Sequence, residues 1–432
     1  LKSHRRRSLF RSLPRLAAGA AVCSLFLAAS PPAQGATLSA DATTILRLRQ
    51  SPQDQDLYPL YQYLHLSGTT EEKNGAVSYQ MGGWGRVDLW DRSSDEGTNG
   101  DLQYGYLSWR ANRNNLQFSA GRQFVTEGLA CEHLDGLYLK SDLAAGFTGS
   151  LFAGEPVTTV APGFRGGDIL YGGRLAHSLP GWYTLGVSAL KSDANGDELR
   201  EEEGIDLWLT PLAGLDVDGR STYDSATGGW MEHAYTAGYA VSDRLKVSAQ
   251  VSKINYRDYF HHVTTSALSL TNGLLDPDEE LLKVGGSVGY LVNTGLAVTG
   301  EYQRYEYEIA GHANYFGAKA NFNLPSGVGA GAALYRMDGE GARLNYTQLR
   351  AWGTRKFGPI DLTVDFYDVL FDGEINGRKN TFSLSGAAGY EVGSRLRVAA
   401  DLDFLRSIDS DHEVRGLVKV IYAFDWPRRG KQ

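Results

Sequence analysis

Gly416 to Trp426 reads Gly-Leu-Val-Lys-Val-Ile-Tyr-Ala-Phe-Asp-Trp. Every second residue from Val418 is large and apolar or aromatic: Val418, Val420, Tyr422, Phe424 and Trp426, with Lys419 and Asp425 among those between. Successive side chains of a strand point to opposite faces, so this stretch is a strand with one greasy, aromatic-ended face and one mixed face. The same period recurs upstream. Val77, Tyr79, Met81, Gly83, Gly85, Val87 and Leu89 share one face, and Ser78, Gln80, Gly82, Trp84, Arg86 and Asp88 share the other. In water the first face needs a core; in a bilayer it needs only lipid.

The N-terminus predicts export. Lys2, Arg5, Arg6, Arg7, Arg11 and Arg15 form a basic segment, Leu16 to Ala29 is an apolar and small-residue run, and Ala33-Gln34-Gly35 fits a signal-peptidase site. Residues 1–35 are therefore expected to be a cleaved signal peptide and 36–432 a single domain. Cleavage removes six cations and no acids, taking the formal charge from −8 to −14. One cysteine then remains, Cys131, so no internal disulfide is possible. No Cys-x-x-Cys-His attaches a c-type haem. No segment of 36–432 approaches 18 uninterrupted apolar residues, so no transmembrane helix is expected. An exported chain of this kind is periplasmic, secreted or a barrel. With 52 Gly and 24 Tyr against 13 Pro, and 11% aromatics, composition leans to the barrel.

Past residue 36 the chain runs as alternating segments separated by turn signals. Eight short turns each lead into an apolar-x-apolar start. They are Asn115 before Leu116, Pro180-Gly181 before Tyr183, Gly214 before Leu215, and Asp243-Arg244 before Leu245. The others are Asn293-Thr294-Gly295 before Leu296, Pro325-Ser326-Gly327 before Val328, Gly358-Pro359 before Ile360, and Gly393-Ser394-Arg395 before Leu396. Gly, Asn, Asp and Pro supply the dihedrals that tight turns need. Longer, more charged connections alternate with them: Arg92–Asn99, Val125–Asp135, Ser192–Glu203, Asn255–Glu280, Gly373–Arg378 and Ile408–Glu413. Counting gives about 22 strands between residues 38 and 426, within a range of 18–22, because 38–49, 136–141 and 169–177 alternate weakly. A soluble sandwich or propeller also alternates, but does not separate short turns from long loops in this way.

The whole pattern resembles the Gram-negative outer-membrane β-barrels of the porin type, whose last strand ends in alternating apolar residues and a terminal aromatic. The resemblance implies an all-β, transmembrane, antiparallel up-and-down barrel in the bacterial outer membrane, with short periplasmic turns and longer extracellular loops. It also implies partners: outer-membrane lipid, lipopolysaccharide and the barrel-assembly machinery, for which Tyr422, Phe424 and Trp426 are the expected signal. Pro427 to Gln432 depart from the family, whose pattern usually stops at the aromatic. A second resemblance covers Gly121-Arg122-Gln123-Phe124 and His133-Leu134-Asp135-Gly136-Leu137. It is similar to a Gly-Arg-Gln strand and following Asp-Gly found in several porin and polysaccharide-export barrels. Simple parity puts Arg122 on the Phe118 face. Either Gly121 marks a bulge that turns it inward, or it sits at headgroup level.

Charges cannot face lipid cheaply, so those opposite the apolar face are expected to line the pore: Arg86, Asp88, Arg174, Lys246, Lys283, Glu301, Lys319, Asp361, Asp365, Arg397, Asp401, Asp403 and Lys419. Charges of both signs suggest pairing across strands within a hydrated interior, and −14 overall hints at mild cation preference. Asn255–Glu280 is the longest connection, and its Tyr256, Tyr259, Phe260, His261 and His262 are candidates for a constriction.

No glycine-rich phosphate loop, dinucleotide fingerprint or zinc spacing appears, so no cofactor, metal or nucleic-acid partner is expected. His133 with Asp135, and Asp206 near Trp208, are the nearest approaches to catalytic pairs. Neither has a nucleophile motif, so no enzyme is expected. The expected function is a channel for small hydrophilic solutes or ions. The alternative is a barrel sheathing a periplasmic multihaem cytochrome in an electron conduit, since a 22-stranded lumen needs filling and the first strand leaves no room for an N-terminal plug. An outer-membrane enzyme ranks last.

Overall fold

The computed structural model describes residues 36–50, 55–92, 97–157, 168–194, 197–260, 276, 278–410 and 412–426. The signal-peptide segment 1–35, His261, His262 and the tail Pro427–Gln432 lie outside the described residues. The strands are β1 (Ala36–Gln50), β2 (Asp56–Leu57), β3 (Pro59–Glu72), β4 (Gly75–Asp88), β5 (Thr98–Ala111), β6 (Gln117–Glu127), β7 (Ala130–Asp142), β8 (Phe147–Pro156), β9 (Ile169–Leu179), β10 (Tyr183–Ala194), β11 (Asp197–Leu212) and β12 (Leu215–Asp224). They continue as β13 (Gly229–Ala240), β14 (Leu245–Asn255), β15 (Glu280–Asn293), β16 (Leu296–Tyr307), β17 (Gly311–Asn323), β18 (Val328–Gly339), β19 (Tyr346–Phe357), β20 (Ile360–Ile375), β21 (Arg378–Val392), β22 (Leu396–Arg406) and β23 (Glu413–Trp426).

All belong to one antiparallel sheet. Each long strand pairs with its sequence neighbours, and β23 returns to β1 in a continuous register from Leu38 opposite Trp426 to Arg49 opposite Arg415. The ring therefore closes over 22 strands, with the two-residue β2 outside it. The weakly alternating stretches are full strands, β1, β7 and β9. All eight short turns fall between strands at one end of the barrel, where two more join them, at Lys73-Asn74 and at 143–146. Gly358 shows why such turns need their residue: its φ of +57° is one that a side chain rarely adopts.

Three of the expected long connections are mostly strand. β6 and β7 run through Val125–Asp135 up to Gly128-Leu129, β10 and β11 leave only 195–196 out of Ser192–Glu203, and β20 and β21 leave only 376–377 out of Gly373–Arg378. At the β10–β11 and β20–β21 ends both faces are polar, so the alternation that marks a strand against lipid disappears while the backbone ladder continues. The β6–β7 end keeps an apolar face of Val125, Ala130 and Leu134, but it is turned away from lipid.

The two faces of the wall are unlike. Leu107, Phe118, Leu137, Leu151, Leu175, Val187, Ile205, Leu334, Val364 and Leu402 are large, apolar and exposed, which a water-soluble sheet would bury. They form the outward band. The buried apolar cluster is small and lies on the other face: Val125, Ala130, Leu134, Phe152, Leu170 and Leu190. No helix among the described residues is long and apolar enough to cross a membrane.

Candidate functional site: a hairpin folded into the barrel

That cluster arises because the β6–β7 hairpin leaves the wall. Its pairing with β5 ends at Gly105 opposite Arg122, and its pairing with β8 ends at Leu134 opposite Pro156. The rest of the hairpin pairs only with itself, up to Glu127 opposite Ala130. Lys140 sits opposite Gln117, ten residues back along the ladder. In a straight hairpin Glu127 and Lys140 would stand roughly 30 Å apart at about 3.3 Å per residue. Instead the Lys140 Nζ donates to Glu127 Oε1 at 2.8 Å, and the Tyr138 hydroxyl donates to the same oxygen at 2.5 Å. The hairpin therefore doubles back along the inner wall.

The bend sits on a row of glycines. Gly121 pairs with Gly136, and Gly136 with Gly154. Gly121 has φ of +124°, and a Cβ there would run into the Gly105 carbonyl oxygen. A Cβ on Gly136 would run into the Ala153 carbonyl oxygen. Backbone approaches this close tolerate no side chain. The residues beside the glycines fix the fold-back. Arg122 donates Nε and Nη2 to the two carboxylate oxygens of Asp135, both at 2.8 Å, and Nη1 to the Leu102 carbonyl at 2.7 Å and to Asp101 at 3.2 Å. Such two-pronged pairing is directional, so it orients as well as holds. The Gln123 amide nitrogen donates to the Gly136 carbonyl at 3.1 Å.

Further contacts anchor the tip and flank. The Leu129 N–H donates to Ser188 Oγ on β10 at 3.1 Å. Arg200 of β11 bridges Glu132 of the hairpin, at 3.0 Å, to its own neighbour Glu202, at 2.6 and 2.9 Å. Leu134, wholly buried, packs with Val125 against Phe152, Leu170 and Leu190 of the wall. Phe124 and His133 lie on the opposite face of the hairpin, stacked at 4.1 Å, with Phe124 63% exposed. Cys131, also exposed, shares that face. Of the His133 and Asp135 pair, the Asp135 carboxylate is held by Arg122, and the His133 ring stacks on Phe124.

Register puts the expected lining residues on the face opposite the apolar band, which the hairpin identifies as inward. Arg86 and Asp88 lie together there, with side chains 9% and 2% exposed. Arg174 clasps Asp206 at 2.9 and 2.5 Å, Arg350 holds Asp365 at 2.7 Å, and Arg397 holds Asp361 at 2.8 Å. Arg220 and Glu232 pair similarly at 2.9 Å. Asp401 lies within electrostatic reach of Asp403, Arg47 and Lys419. Glu301 accepts from the Gln303 amide. Lys246, Lys283 and Lys319 form no ion pair with a described residue.

The segment expected to narrow the pore does otherwise where it is described. Tyr256–Tyr259 form a single helical turn, α1, capped by Asn255. It stays at the rim, where Asp258 packs on Gly229 at the start of β13. Burial, and then the Glu279 carboxylate, push the Tyr256 phenol above its usual range. The Phe260 ring meets Tyr256 and Tyr259 edge-on. Among the described residues the segment entering the barrel is the hairpin, which charge density alone marks as an outside loop. Its signal was the Gly-Arg-Gln and Asp-Gly pair: these residues are the two glycines of the bend, the ion pair beside them and the amide that bonds across. No bulge brings Arg122 inward: the β6–β7 register runs unbroken through Gly121, both strands turn together, and Arg122 bonds Asp135, Asp101 and the Leu102 carbonyl.

Among the described residues no group of three or more His, Cys, Asp or Glu is placed to hold a metal. The sequence matches no protein-family model and no curated protein. Its fold is similar to that of a ferric enterobactin receptor variant from Pseudomonas aeruginosa, over 91% of this chain and 81% of that one, at TM-score 0.56 and 10% identity. Matches at lower TM-scores include OccAB4 of Acinetobacter baumannii (0.47, 10% identity, 92% of this chain and 100% of that one) and OccK3 of Pseudomonas aeruginosa (0.42, 12% identity, 90% and 96%). The likeness is one of fold: a large, closed, antiparallel barrel of the outer-membrane type.

Proposed function

We propose that this chain is an outer-membrane channel of the porin kind, exported through a cleaved signal peptide, that passes small hydrophilic solutes or ions through a lumen narrowed by the β6–β7 hairpin. The observation that carries the reading is the hairpin itself. A closed 22-stranded ring is wide, and here one extracellular-side hairpin is bent inward and pinned to the wall by hydrogen bonds and ion pairs along its length. Paired lumen charges leave a hydrated interior without a filter of one sign.

Cys131 provides the test, because it is the one cysteine of residues 36–432 and lies on the lumen-facing side of the hairpin. In planar-bilayer recordings, a bulky methanethiosulfonate is expected to lower single-channel conductance, and Cys131→Ser to abolish the response. A barrel that never conducts sinks the proposal. Ring size favours a second reading, the sheath around a periplasmic multihaem cytochrome, because 22-stranded transporters have a filled lumen. Purification in mild detergent followed by a haem stain of co-eluting bands tests it. Haem co-elution is its expected result, and haem-free preparations overturn it.

A further inference from the structure

We propose that the lipid-facing wall of β7–β13 carries a binding site for phosphatidylethanolamine, a diacyl phospholipid with an ammonium headgroup, seated in two parallel grooves with its head at their extracellular end. The proposal goes beyond the channel reading. It requires the barrel to stand in the outer membrane, not to conduct.

Register lays three outward rows side by side. In the first, Leu137, Ala153, Tyr171, Lys191 and Glu201 stand opposite one another in turn across β7–β11. The middle row runs Leu139, Leu151, Gly173, Ala189, Glu203 and Tyr223, and the third runs Gly149, Leu175, Val187, Ile205, Ser221 and His233. Gly149, Ala153, Gly173 and Ala189 interrupt the apolar side chains, so a groove lies on each side of the middle row, enclosing about 740 and 790 Å³. Rows at right angles to strands tilted by about 40° climb obliquely through a bilayer. Leu139 lies near the periplasmic end of β7, and Tyr223 beside the extracellular end of β12. At about 4.8 Å per strand the middle row is roughly 24 Å long, which exceeds the depth of one leaflet, about half of the 30 Å core. The grooves run side by side, as the two chains of one diacyl lipid do.

The extracellular ends of the grooves are polar, although the wall there faces lipid. Ser221, only 6% exposed, shares hydrogen bonds with His233 Nδ1 at 2.8 Å and with the Tyr235 hydroxyl at 2.5 Å. The Trp230 ring lies 4.8 Å from that of His233 and 5.3 Å from that of Tyr223. Packing against hydrocarbon calls for none of these polar groups, whereas the ester and glycerol level of a lipid meets them with carbonyl acceptors. Between the two groove ends stands Glu203. It is exposed, accepts from the Ser225 hydroxyl at 2.7 and 2.9 Å, and meets no cation among the described residues. A carboxylate without a cation attracts an ammonium group and repels a phosphate. Lys191, the next outward position of β10 beyond Ala189, pairs with Glu201 at 3.3 Å and supplies a cation on the phosphate side. This order of charges fits a zwitterionic head. Lipid A, which presents phosphates without an ammonium, is repelled at Glu203.

Native mass spectrometry of the detergent-solubilised barrel, with dipalmitoyl phosphatidylethanolamine, dipalmitoyl phosphatidylglycerol or lipid A added, tests the site. Phosphatidylethanolamine is expected to be retained, and the other two at least about tenfold more weakly, as loss of a charge-assisted contact implies. Glu203→Gln should lower its retention about tenfold, to the level of phosphatidylglycerol. Ala189→Trp, which fills the floor shared by both grooves, should abolish retention. Ala318→Trp, on the outward face of β17 beside Leu334, should leave it unchanged. Heat-modifiable gel mobility shows each barrel intact. Equal retention of the two phospholipids, stronger retention of lipid A, or retention indifferent to Glu203→Gln or Ala189→Trp overturns the site. Selective retention by a barrel that does not conduct would sink the channel and keep the site; conductance without lipid selectivity would do the reverse.

Discussion

Excising the β6–β7 hairpin is expected to raise single-channel conductance by on the order of half, since a packed sheet layer occupies about 10 Å of depth over the arc of wall that it covers. The design follows from the register. Arg122 and Asp135 are paired opposite each other, so residues 123–134 can be replaced by Asn-Gly, the two-residue turn that closes a tight hairpin. The Arg122–Asp135 pair and the glycine row are retained. Excision uncovers Phe152, Leu170 and Leu190, so Leu170→Ser and Leu190→Ser accompany it to keep the new lumen surface wettable. The single-residue version, Arg122→Ala, keeps the hairpin but removes the clasp at its foot. It should produce fluctuating conductance between the wild-type and excised levels. If the excised barrel inserts normally and conducts as the wild type does, the hairpin does not narrow the path.

Replacing both Phe424 and Trp426 with Ala is expected to reduce membrane-inserted, heat-modifiable barrel by more than about tenfold. Each ring cut to a methyl forfeits on the order of 2 kcal/mol of transfer into an apolar medium, and 1.4 kcal/mol is already a factor of ten. The position sharpens the effect. β23 is half of the seam with β1, and the Phe424 ring packs edge-on with Tyr422 at 4.2 Å. Removing Pro427 to Gln432 should leave insertion intact, because the register with β1 ends at Trp426. Fractionation with protease protection reads both results. Normal assembly of the double variant would show that the closing strand is not recognised through its aromatics.

These two experiments probe what was legible in the sequence and what was not. The seam was legible: the greasy alternation from Val418 to Trp426 and the strand near 38–49 called for each other, and they pair. The turns were legible because Gly214, Gly358 and Gly393 occupy positions where few other residues fit. The hairpin was not. Glu127, Glu132 and Asp135 gave Val125–Asp135 the charge of a solvated loop, and nothing in spacing shows that Glu127 would reach Lys140. Only a bend brings them together, and a bend is written in local backbone crowding at Gly121 and Gly136 rather than in hydrophobic period. The lumen pairs behaved similarly. Parity assigned Arg174, Asp361 and Asp365 to one face, while the choice of partner, Asp206 for Arg174 and Arg397 for Asp361, depends on strand stagger.

The hairpin also carries information about timing. Its anchors are nearby in sequence: Leu134 meets Phe152, Leu170 and Leu190, and Leu129 meets Ser188, all within the strands that follow it directly. The seam joins the two ends of the chain. Contacts between near neighbours close small loops and form early, whereas an end-to-end pairing must await the whole sheet. The inward segment can therefore dock while the sheet is still an open, curling ribbon, before a finished ring would hinder its entry. On that order of events, the barrel closes around an obstruction already in place.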